Sequence, residues 1–215
     1  MDMDYEAPHY IAIEGPIRVG KTSLARIMAE RLHARAILDG EDNPFLQDFY
    51  LERAGAAFKA QMYFLNQRFQ QLRGLCQEGR RATFVADYLF DKDKIFAYIN
   101  LSDEELRLYD AYYELLRQQI PTPDLAVYLQ ATPEVLQQRI ERKASPLEAE
   151  ISPEYLAEIV RAYDHFFYHY KASKLLVINT SEIDFVASRE DLEQLLRRIN
   201  QPVCGTQYFL PLGSG

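Results

Sequence analysis

The sequence predicts an α/β fold in which a five-stranded parallel sheet is covered by helices on both faces, giving three layers. Short apolar runs alternate with long helical patterns along the chain, which is the order expected of βαβ units. The runs are bounded by polar residues, as is typical of strands that helices bury on both faces. A chain of 215 residues has the size of one domain with a single large core.

The individual elements follow from the same patterns. Strands are predicted at residues 10–14, 36–39, 83–87, 125–129 and 175–179, and helices at residues 21–32, 43–53, 56–78, 92–99, 103–119, 133–143, 153–173 and 189–200. Ser102, Thr132 and Ser152 each precede proline or acidic residues, which is typical of helix N-caps. The folded domain is predicted over residues 1–200. The tail, residues 201–215, is apolar but unpatterned, so it either docks on the domain or joins an interface.

Composition limits the possible partners. The net charge is −8, from 24 basic and 32 acidic residues, which argues against a nucleic-acid polymer. Cys76 and Cys204 fit neither a disulfide framework nor a metal-binding spacing, so both are expected to be reduced thiols. The chain has no run of about 18 apolar residues, and residues 1–6 are acidic where a secretory signal would be basic. We therefore expect a cytoplasmic protein that does not enter a membrane.

One motif predicts phosphate binding. It fits G-x-x-x-x-G-K-[ST], follows the first predicted strand and opens the first predicted helix, and it consists of Gly15, Pro16, Ile17, Arg18, Val19, Gly20, Lys21 and Thr22, with Ser23 next. In this setting the backbone N–H groups converge on nucleotide phosphates, Lys21 reaches the outer phosphates, and the Thr22 hydroxyl can bind Mg²⁺. The motif and its context predict a P-loop NTPase-type fold that binds ATP. The alternative is a chance Gly-rich turn.

A second metal-organising group is predicted at Asp87. P-loop enzymes need a carboxylate at the end of a neighbouring strand to hold Mg²⁺, and Asp87 ends the third predicted strand. Charged residues at the carboxyl edge of a parallel strand face the ligand crevice. The alternative is an aspartate that only caps the following helix.

Several ordered motifs over residues 8–200 resemble those of the deoxynucleoside kinase family. They are residues 11–15 before the P-loop, 43–50 after the second strand, 61–68, 87–88, 139–143 and 183–185. The resemblance implies ATP-dependent phosphorylation of a deoxynucleoside on its 5′-hydroxyl, a helical lid at about residues 139–151, and a homodimer formed by the helices near residues 56–78 and 103–119. Those two helices have apolar faces.

The resemblance also implies how the acceptor is bound. Gln61 would make paired hydrogen bonds to the base, as a side-chain amide can, while Arg68 and Asp93 would form a charged pair at the far edge of the base. Tyr50 and Glu148 would bind the sugar 3′-hydroxyl. The alternatives are a solvated helix face for Gln61 and Arg68, core packing for Tyr50, and a solvated loop charge for Glu148.

The lid and a late loop complete the implied site. Arg139 has the helical spacing to face the same side as Arg142 or Lys143, and cations of this kind stabilise charge on a transferring phosphoryl group. The alternative is a basic solvent face. The loop of Ile183, Asp184 and Phe185 would pack on the ATP adenine, with ordinary loop anchoring as the alternative.

The match fails where the family has a glutamate that accepts the 5′-hydroxyl proton. That position is Leu38 when aligned without a gap. Asp39, Glu41 and Asp42 are the nearby carboxylates. Asp39 is the predicted base, because a turn one residue shorter would place it at the strand's carboxyl end. The position of a general base relative to the hydroxyl is considered before its pKa. Further departures are Arg18 in place of glycine, Tyr88 in place of arginine, and a lid with fewer cations, residues 143–145.

The sequence thus predicts a deoxynucleoside kinase of the bacterial deoxyadenosine/deoxyguanosine type. Deoxyadenosine is the favoured acceptor, with deoxyguanosine or deoxycytidine possible. Two alternatives remain: a nucleoside monophosphate kinase, such as one acting on dTMP, and a nucleotide-binding module that has lost turnover. The monophosphate kinase would need an additional cation near the sugar site, whereas Tyr50 and Glu148 suit an uncharged sugar.

Overall fold

A computed structural model describes residues 7–40, 42–78, 82–142, 151–211 and 213 of the chain. The strands are β1 Tyr10–Glu14, β2 Arg35–Ile37, β3 Phe84–Ala86, β4 Leu125–Gln130, β5 Lys174–Asn179 and β6 Thr206–Phe209. The helices are α1 Lys21–Arg31, α2 Leu46–Tyr50, α3 Ala56–Glu78, α4 Lys92–Asn100, α5 Asp103–Arg117, α6 Pro133–Arg142, α7 Pro153–His169 and α8 Arg189–Ile199.

The strands form one sheet in the order β2-β3-β1-β4-β5-β6, and every pairing is parallel. The predicted fold class is confirmed, but the sheet has six strands and not five. The additional strand, β6, comes from the tail and pairs with β5, so that Val177 lies beside Tyr208. Its residues alternate between exposed and half-buried, because successive side chains point to opposite faces of the sheet. A strand of this kind lacks the continuous apolar run that reveals the inner strands.

Two apolar cores lie on opposite faces of the sheet. Along β1, Tyr10 and Ala12 face one core, while Ile11 and Ile13 face the other, as the two-residue period of a strand requires. The first core, under α3, α4, α5 and α7, is rich in aromatic rings, and the rings of Tyr128 and Phe167 stack with centroids 4.1 Å apart. The second, under α1, α6 and α8, is mostly aliphatic.

Local sequence determines several helix starts. Ser102 and Glu105 form a capping box at the start of α5, and Ser152 accepts a hydrogen bond from the Tyr155 amide at the start of α7. The helix predicted at residues 43–53 is shorter, however. The Asn43 side chain accepts from the Phe45 amide and donates to the Ala60 carbonyl, which holds this segment as a loop before α2.

The carboxyl ends of β1, β2 and β3 position the candidate site. The P-loop follows β1, and Asp87 directly follows β3. The second strand was predicted to reach residue 39 but ends at Ile37, so Asp39 lies in the turn at the same edge of the sheet. Ligands of open α/β sheets bind in this crevice. Within the described ranges, none of the helices combines the length and the apolarity needed to span a bilayer.

Candidate functional site

The P-loop folds around the side chain of its own lysine. The Lys21 ammonium donates to the carbonyl oxygens of Gly15 at 2.7 Å and Pro16 at 3.0 Å. Burial, reinforced by the nearby Lys92 ammonium, lowers the pKa of Lys21 to about 8. A Cβ atom on Gly20, whose φ is +106°, would collide with the Phe185 ring, so this position requires glycine. The loop is therefore preformed for a ligand that offers negative charge to Lys21.

Glu14 is a buried carboxylate that sequence reasoning placed in a motif without giving it a role. One of its oxygens accepts from the Gly15 amide at 2.8 Å and from the Tyr163 hydroxyl at 3.1 Å, and the other accepts from the Leu89 amide at 2.8 Å. The side chain is wholly buried. The sequence does contain a signal for this role, because Glu14 is a charged residue at the end of a strand that is buried on both faces. A charge in that position must find hydrogen-bond partners within the protein. Glu14 thus links the start of the P-loop to α7 and to the loop after β3.

A donor cleft opens over the P-loop. We use this name for the cleft lined by Ile17, Arg18, Val19, Gly20, Lys21, Thr22, Ser23, Arg139, Arg142, Asp184, Phe185 and Val186. It brings together most of the predicted nucleotide-binding residues with two of the three predicted lid cations. Lys143, the third, lies outside the described residues. The Arg139 guanidinium donates to the carbonyl oxygens of Thr180 at 2.9 Å and Ile183 at 3.0 Å, and burial lowers its pKa.

The loop predicted to pack on adenine is anchored by its apolar residues. Ile183 and Phe185 are buried in the second core, and Phe185 packs against Gly20 of the P-loop. Asp184 is exposed, its amide donates to the Asp191 carboxylate at 3.0 Å, and its own carboxylate accepts from the Val186 amide. The loop therefore offers its Asp184 and Val186 side to the donor cleft.

Asp87 and Thr22 are in contact beside the P-loop. The Thr22 hydroxyl donates to one Asp87 carboxylate oxygen at 2.5 Å, and the Asp39 amide donates to the other at 2.6 Å. Asp87 is buried. Carboxylate and hydroxyl oxygens are hard ligands of the kind that Mg²⁺ prefers, so this pair fits the predicted metal site. Asp87 also fixes the backbone of Asp39, although the two residues follow different strands.

A charged cluster lies next to this pair. The Arg68 guanidinium binds both carboxylate oxygens of Asp39 at 2.8 Å and donates to Asp93 at 2.6 Å. The Lys92 ammonium donates to Asp39 at 3.0 Å. Burial alone would raise the pKa of the Asp39 carboxyl, but Arg68 and Lys92 hold that pKa well below its usual range. Asp39 is therefore ionised whenever the protein is folded near neutral pH.

Gln61 is oriented by Asp93. Its amide nitrogen donates to the Asp93 carbonyl oxygen at 2.8 Å and to the Asp93 carboxylate. Asp93 is wholly buried, and this burial raises its pKa despite the neighbouring Arg68. The Asp93 carbonyl oxygen can only accept a hydrogen bond, so the group of Gln61 that faces it must be the amide nitrogen. The Gln61 amide nitrogen is thus directed at Asp93, which leaves the Gln61 oxygen for another partner.

An acceptor cleft lies beside the charged cluster. It is lined by Ile17, Lys21, Leu46, Phe49, Tyr50, Ala57, Ala60, Gln61, Phe64, Arg68, Lys92, Phe96, Asn100, Ile151, Tyr155, Ile159 and Tyr163. Tyr50, Gln61 and Arg68 were predicted here. Glu148 and Glu41 lie outside the described residues, and Asp42 is exposed. The high content of Tyr and Phe is consistent with an aromatic-rich interior or pocket, but apart from Tyr50 the sequence did not identify which aromatic residues form these walls.

The two clefts share Ile17 and Lys21. A polyphosphate in the donor cleft and a polar aromatic ligand in the acceptor cleft would therefore meet at Lys21. This arrangement suits transfer of a phosphoryl group between two bound ligands.

Comparison with known proteins agrees with this geometry. A family model described as "Deoxynucleoside kinase" matches residues 11–204 of the chain. The chain belongs to the deoxynucleoside kinase family. It is thus an enzyme, which sets aside the alternative of a nucleotide-binding module without turnover.

Relatives of this kinase include enzymes with different acceptors. It is 31% identical over 199 residues to the deoxyguanosine kinase of Bacillus subtilis (strain 168), with 89% of this chain and 96% of the relative covered. It is 33% identical over 196 residues to the deoxyadenosine kinase of Dictyostelium discoideum, with 88% and 77% covered. These identities establish the family. They do not determine which deoxynucleoside is the acceptor, so that question depends on the geometry of the site.

Solved structures support the fold of the kinase. A deoxyadenosine kinase from M. mycoides with the products dCMP and dCDP superimposes with a TM-score of 0.74 at 21% identity, covering 88% of this chain and 98% of that one. The same enzyme with dATP gives a TM-score of 0.72 at 22% identity, with 89% and 98% covered.

Proposed function

We propose that this kinase transfers the γ-phosphoryl group of ATP to the 5′-hydroxyl of a deoxynucleoside, with deoxyadenosine as the preferred acceptor. The observation that carries the proposal is the meeting of the donor and acceptor clefts at Lys21. A triphosphate held by the P-loop ends at that point, and a nucleoside in the acceptor cleft can direct its 5′-hydroxyl to the same place. Positioning of this kind supplies much of the catalysis in phosphoryl transfer.

On the donor side, the P-loop amides and Lys21 hold the phosphates, with the loop of Ile183, Asp184 and Phe185 beside the nucleotide base. Thr22 and Asp87 would hold Mg²⁺, and the 2.5 Å contact between their oxygens supports a single ion within reach of both. When bound, the ion would neutralise part of the negative charge on the phosphates. Arg139 and Arg142 line the same cleft, and with Lys143 they would stabilise the charge on the transferring group.

On the acceptor side, Asp39 accepts the proton of the 5′-hydroxyl. Its amide is fixed by Asp87 at 2.6 Å, and its carboxylate is held by Arg68 and Lys92. These two cations keep Asp39 ionised, which is the state that a base requires, although they also make the carboxylate a weak base. Tyr50 lines the acceptor cleft, where it and Glu148 would bind the sugar 3′-hydroxyl. Arg68 and Lys92 also line this cleft, but both are paired with Asp39, so neither is left to bind the phosphate of a nucleoside monophosphate.

The orientation of Gln61 supports deoxyadenosine. Because its amide nitrogen is directed at Asp93, Gln61 presents an oxygen to the base, and that oxygen accepts from an exocyclic amine. Adenine and cytosine carry such an amine on the Watson–Crick edge, whereas guanine carries a carbonyl oxygen at the corresponding position. Deoxycytidine is therefore the second acceptor and deoxyguanosine the third.

A coupled assay of ADP release tests the proposal. The purified kinase, ATP and Mg²⁺ are combined with each of the four deoxynucleosides or with dTMP, and Lys21→Ala serves as the background control. We expect the largest kcat/KM for deoxyadenosine and no turnover of dTMP. A preference for dTMP, or ADP release equal to that of the control, would refute the kinase assignment. A preference for deoxyguanosine would refute only the role of Gln61.

We also propose that the kinase is a homodimer in the cytoplasm. Three exposed apolar residues, Leu108, Tyr112 and Leu115, form a stripe on α5, and α5 packs against α3. Exposed stripes of this kind are typical of interfaces. Sedimentation equilibrium should give a dimer, and Leu115→Glu should shift it to the monomer. Tyr168→Glu, at an exposed residue on α7, is the matched control and should stay dimeric. A monomeric parent protein would contradict the proposal.

A further inference from the structure

Arg18 has a backbone conformation that arginine rarely adopts. Its φ is +60°, and it is the third residue of a P-loop turn closed by the Val19 amide, which donates to the Pro16 carbonyl at 3.4 Å. A positive φ at the third position of a turn favours glycine or asparagine. Non-glycine residues in this region carry strain, and such strain concentrates at functional sites. The chain therefore has an arginine where its backbone conformation favours glycine.

The side chain of Arg18 lies where it can meet phosphates. It is half-buried and lines the donor cleft together with Lys21, Arg139 and Arg142. Of the described residues, Asp184 is the one acidic side chain in that lining, and its carboxylate accepts from backbone amides. The cleft is therefore positive in a protein whose net charge is −8, which favours a polyanionic ligand.

Arg139, another half-buried arginine of the cleft, binds backbone groups of the protein. Arg139 donates to the carbonyl oxygens of Thr180 and Ile183, which commits part of its guanidinium to holding the loop after β5. Arg18 extends from the P-loop itself, whose amides are the phosphate-binding groups. A guanidinium presents two parallel N–H donors that match phosphate oxygens.

We propose that Arg18 is a further catalytic residue, whose guanidinium binds the polyphosphate of the nucleotide and stabilises the charge that collects on the leaving diphosphate. The inference rests on the proposed ATP-dependent kinase activity. It adds to the catalytic groups of that activity an arginine that belongs to the P-loop. Because the arginine is part of the loop, its charge is present before any lid closes.

The test separates side-chain chemistry from backbone strain. Arg18→Gly removes the cation and relieves the strain, whereas Arg18→Gln removes the cation and keeps a side chain at the same φ. We expect both variants to lose about 10²-fold in kcat/KM for ATP and at least about tenfold in ATP affinity measured by calorimetry without acceptor. The KM for deoxyadenosine should stay within about threefold of the parent value, since the acceptor cleft is unaltered.

Thermal unfolding provides the second measurement. The melting temperature of Arg18→Gly should be unchanged or raised, because glycine suits a φ of +60°. His33→Gly is the matched control, since His33 is exposed, has a φ of +50° and lies outside both clefts. That variant should keep the parent kinetics and ATP affinity.

Two results would overturn the role of Arg18: parent-like ATP affinity and kcat/KM in both Arg18 variants, or a loss of activity accompanied by a large fall in the melting temperature of Arg18→Gly. A parent protein that phosphorylates none of the deoxynucleosides would refute the proposed function instead. ATP affinity would still test Arg18 in that case, because calorimetry does not require turnover.

Discussion

Replacing Lys21 with methionine should reduce kcat by about 10³-fold or more, which is the magnitude expected when a main phosphate-stabilising group is removed. Methionine keeps the length and the apolar stem but has no charge. The Lys21 ammonium lies where the donor and acceptor clefts meet, so its loss removes a charge close to the transferring group. Steady-state kinetics with ATP and deoxyadenosine measures the effect.

The loss at Lys21 should be specific to the reaction. Burial disfavours the charged form of Lys21, as its lowered pKa indicates, so an apolar replacement should leave the melting temperature nearly unchanged. Lys171→Met, at an exposed residue after α7, is the control and should match the parent in both measurements. If the Lys21→Met enzyme has a kcat within tenfold of the parent value, the Lys21 ammonium does not act on the transferring phosphoryl group.

Replacing Asp39 with asparagine should reduce kcat by about 10²- to 10⁴-fold, the range expected for loss of a general base. Asparagine has nearly the same shape but cannot take up the 5′-hydroxyl proton. It would also leave Arg68 and Lys92 facing each other without the carboxylate that they share, so we expect a lower melting temperature as well. Kinetics should therefore be measured well below the melting transition.

The neighbouring carboxylates provide controls for Asp39. Glu41→Gln and Asp42→Asn should each keep kcat within a few-fold of the parent, because the proposed role belongs to the residue fixed against Asp87. If Asp39→Asn retains most of the activity while Glu41→Gln abolishes it, the base has been assigned to the wrong residue. A comparison of all three variants at one temperature makes the assignment decisive.

Elements with strong local patterns were predictable from the sequence. The long helix at residues 56–78 has the predicted bounds, since its apolar period continues without interruption. The N-caps at Ser102 and Ser152 were also correct, because a cap depends on residues within one turn. The edge strand β6 was missed, because four residues with one half-buried face carry too weak a pattern.

The site was predictable only in part. The positions of the P-loop and Asp87 at the carboxyl edge of the sheet were predicted correctly, because each follows a recognisable strand. The contact of Asp39 with Arg68 is not predictable from the sequence, although each residue is a candidate site residue by itself. It joins residues 29 positions apart and depends on the sheet order that places β2 beside β3 and β3 beside β1. Lys92 and the hydrogen bonds of Glu14 depend on the same order.

By itself the sequence determined the phosphate-binding loop, the alternation of strands and helices, and the residue types available for chemistry, because these depend on spacing along a short stretch of chain. Only the tertiary structure decided that Asp39 shares its charge with Arg68 and Lys92, that Gln61 faces Asp93, and that two clefts meet at Lys21. Burial in a parallel sheet forces polar groups from distant segments to satisfy one another at its carboxyl edge, and that requirement has no signature at any single position.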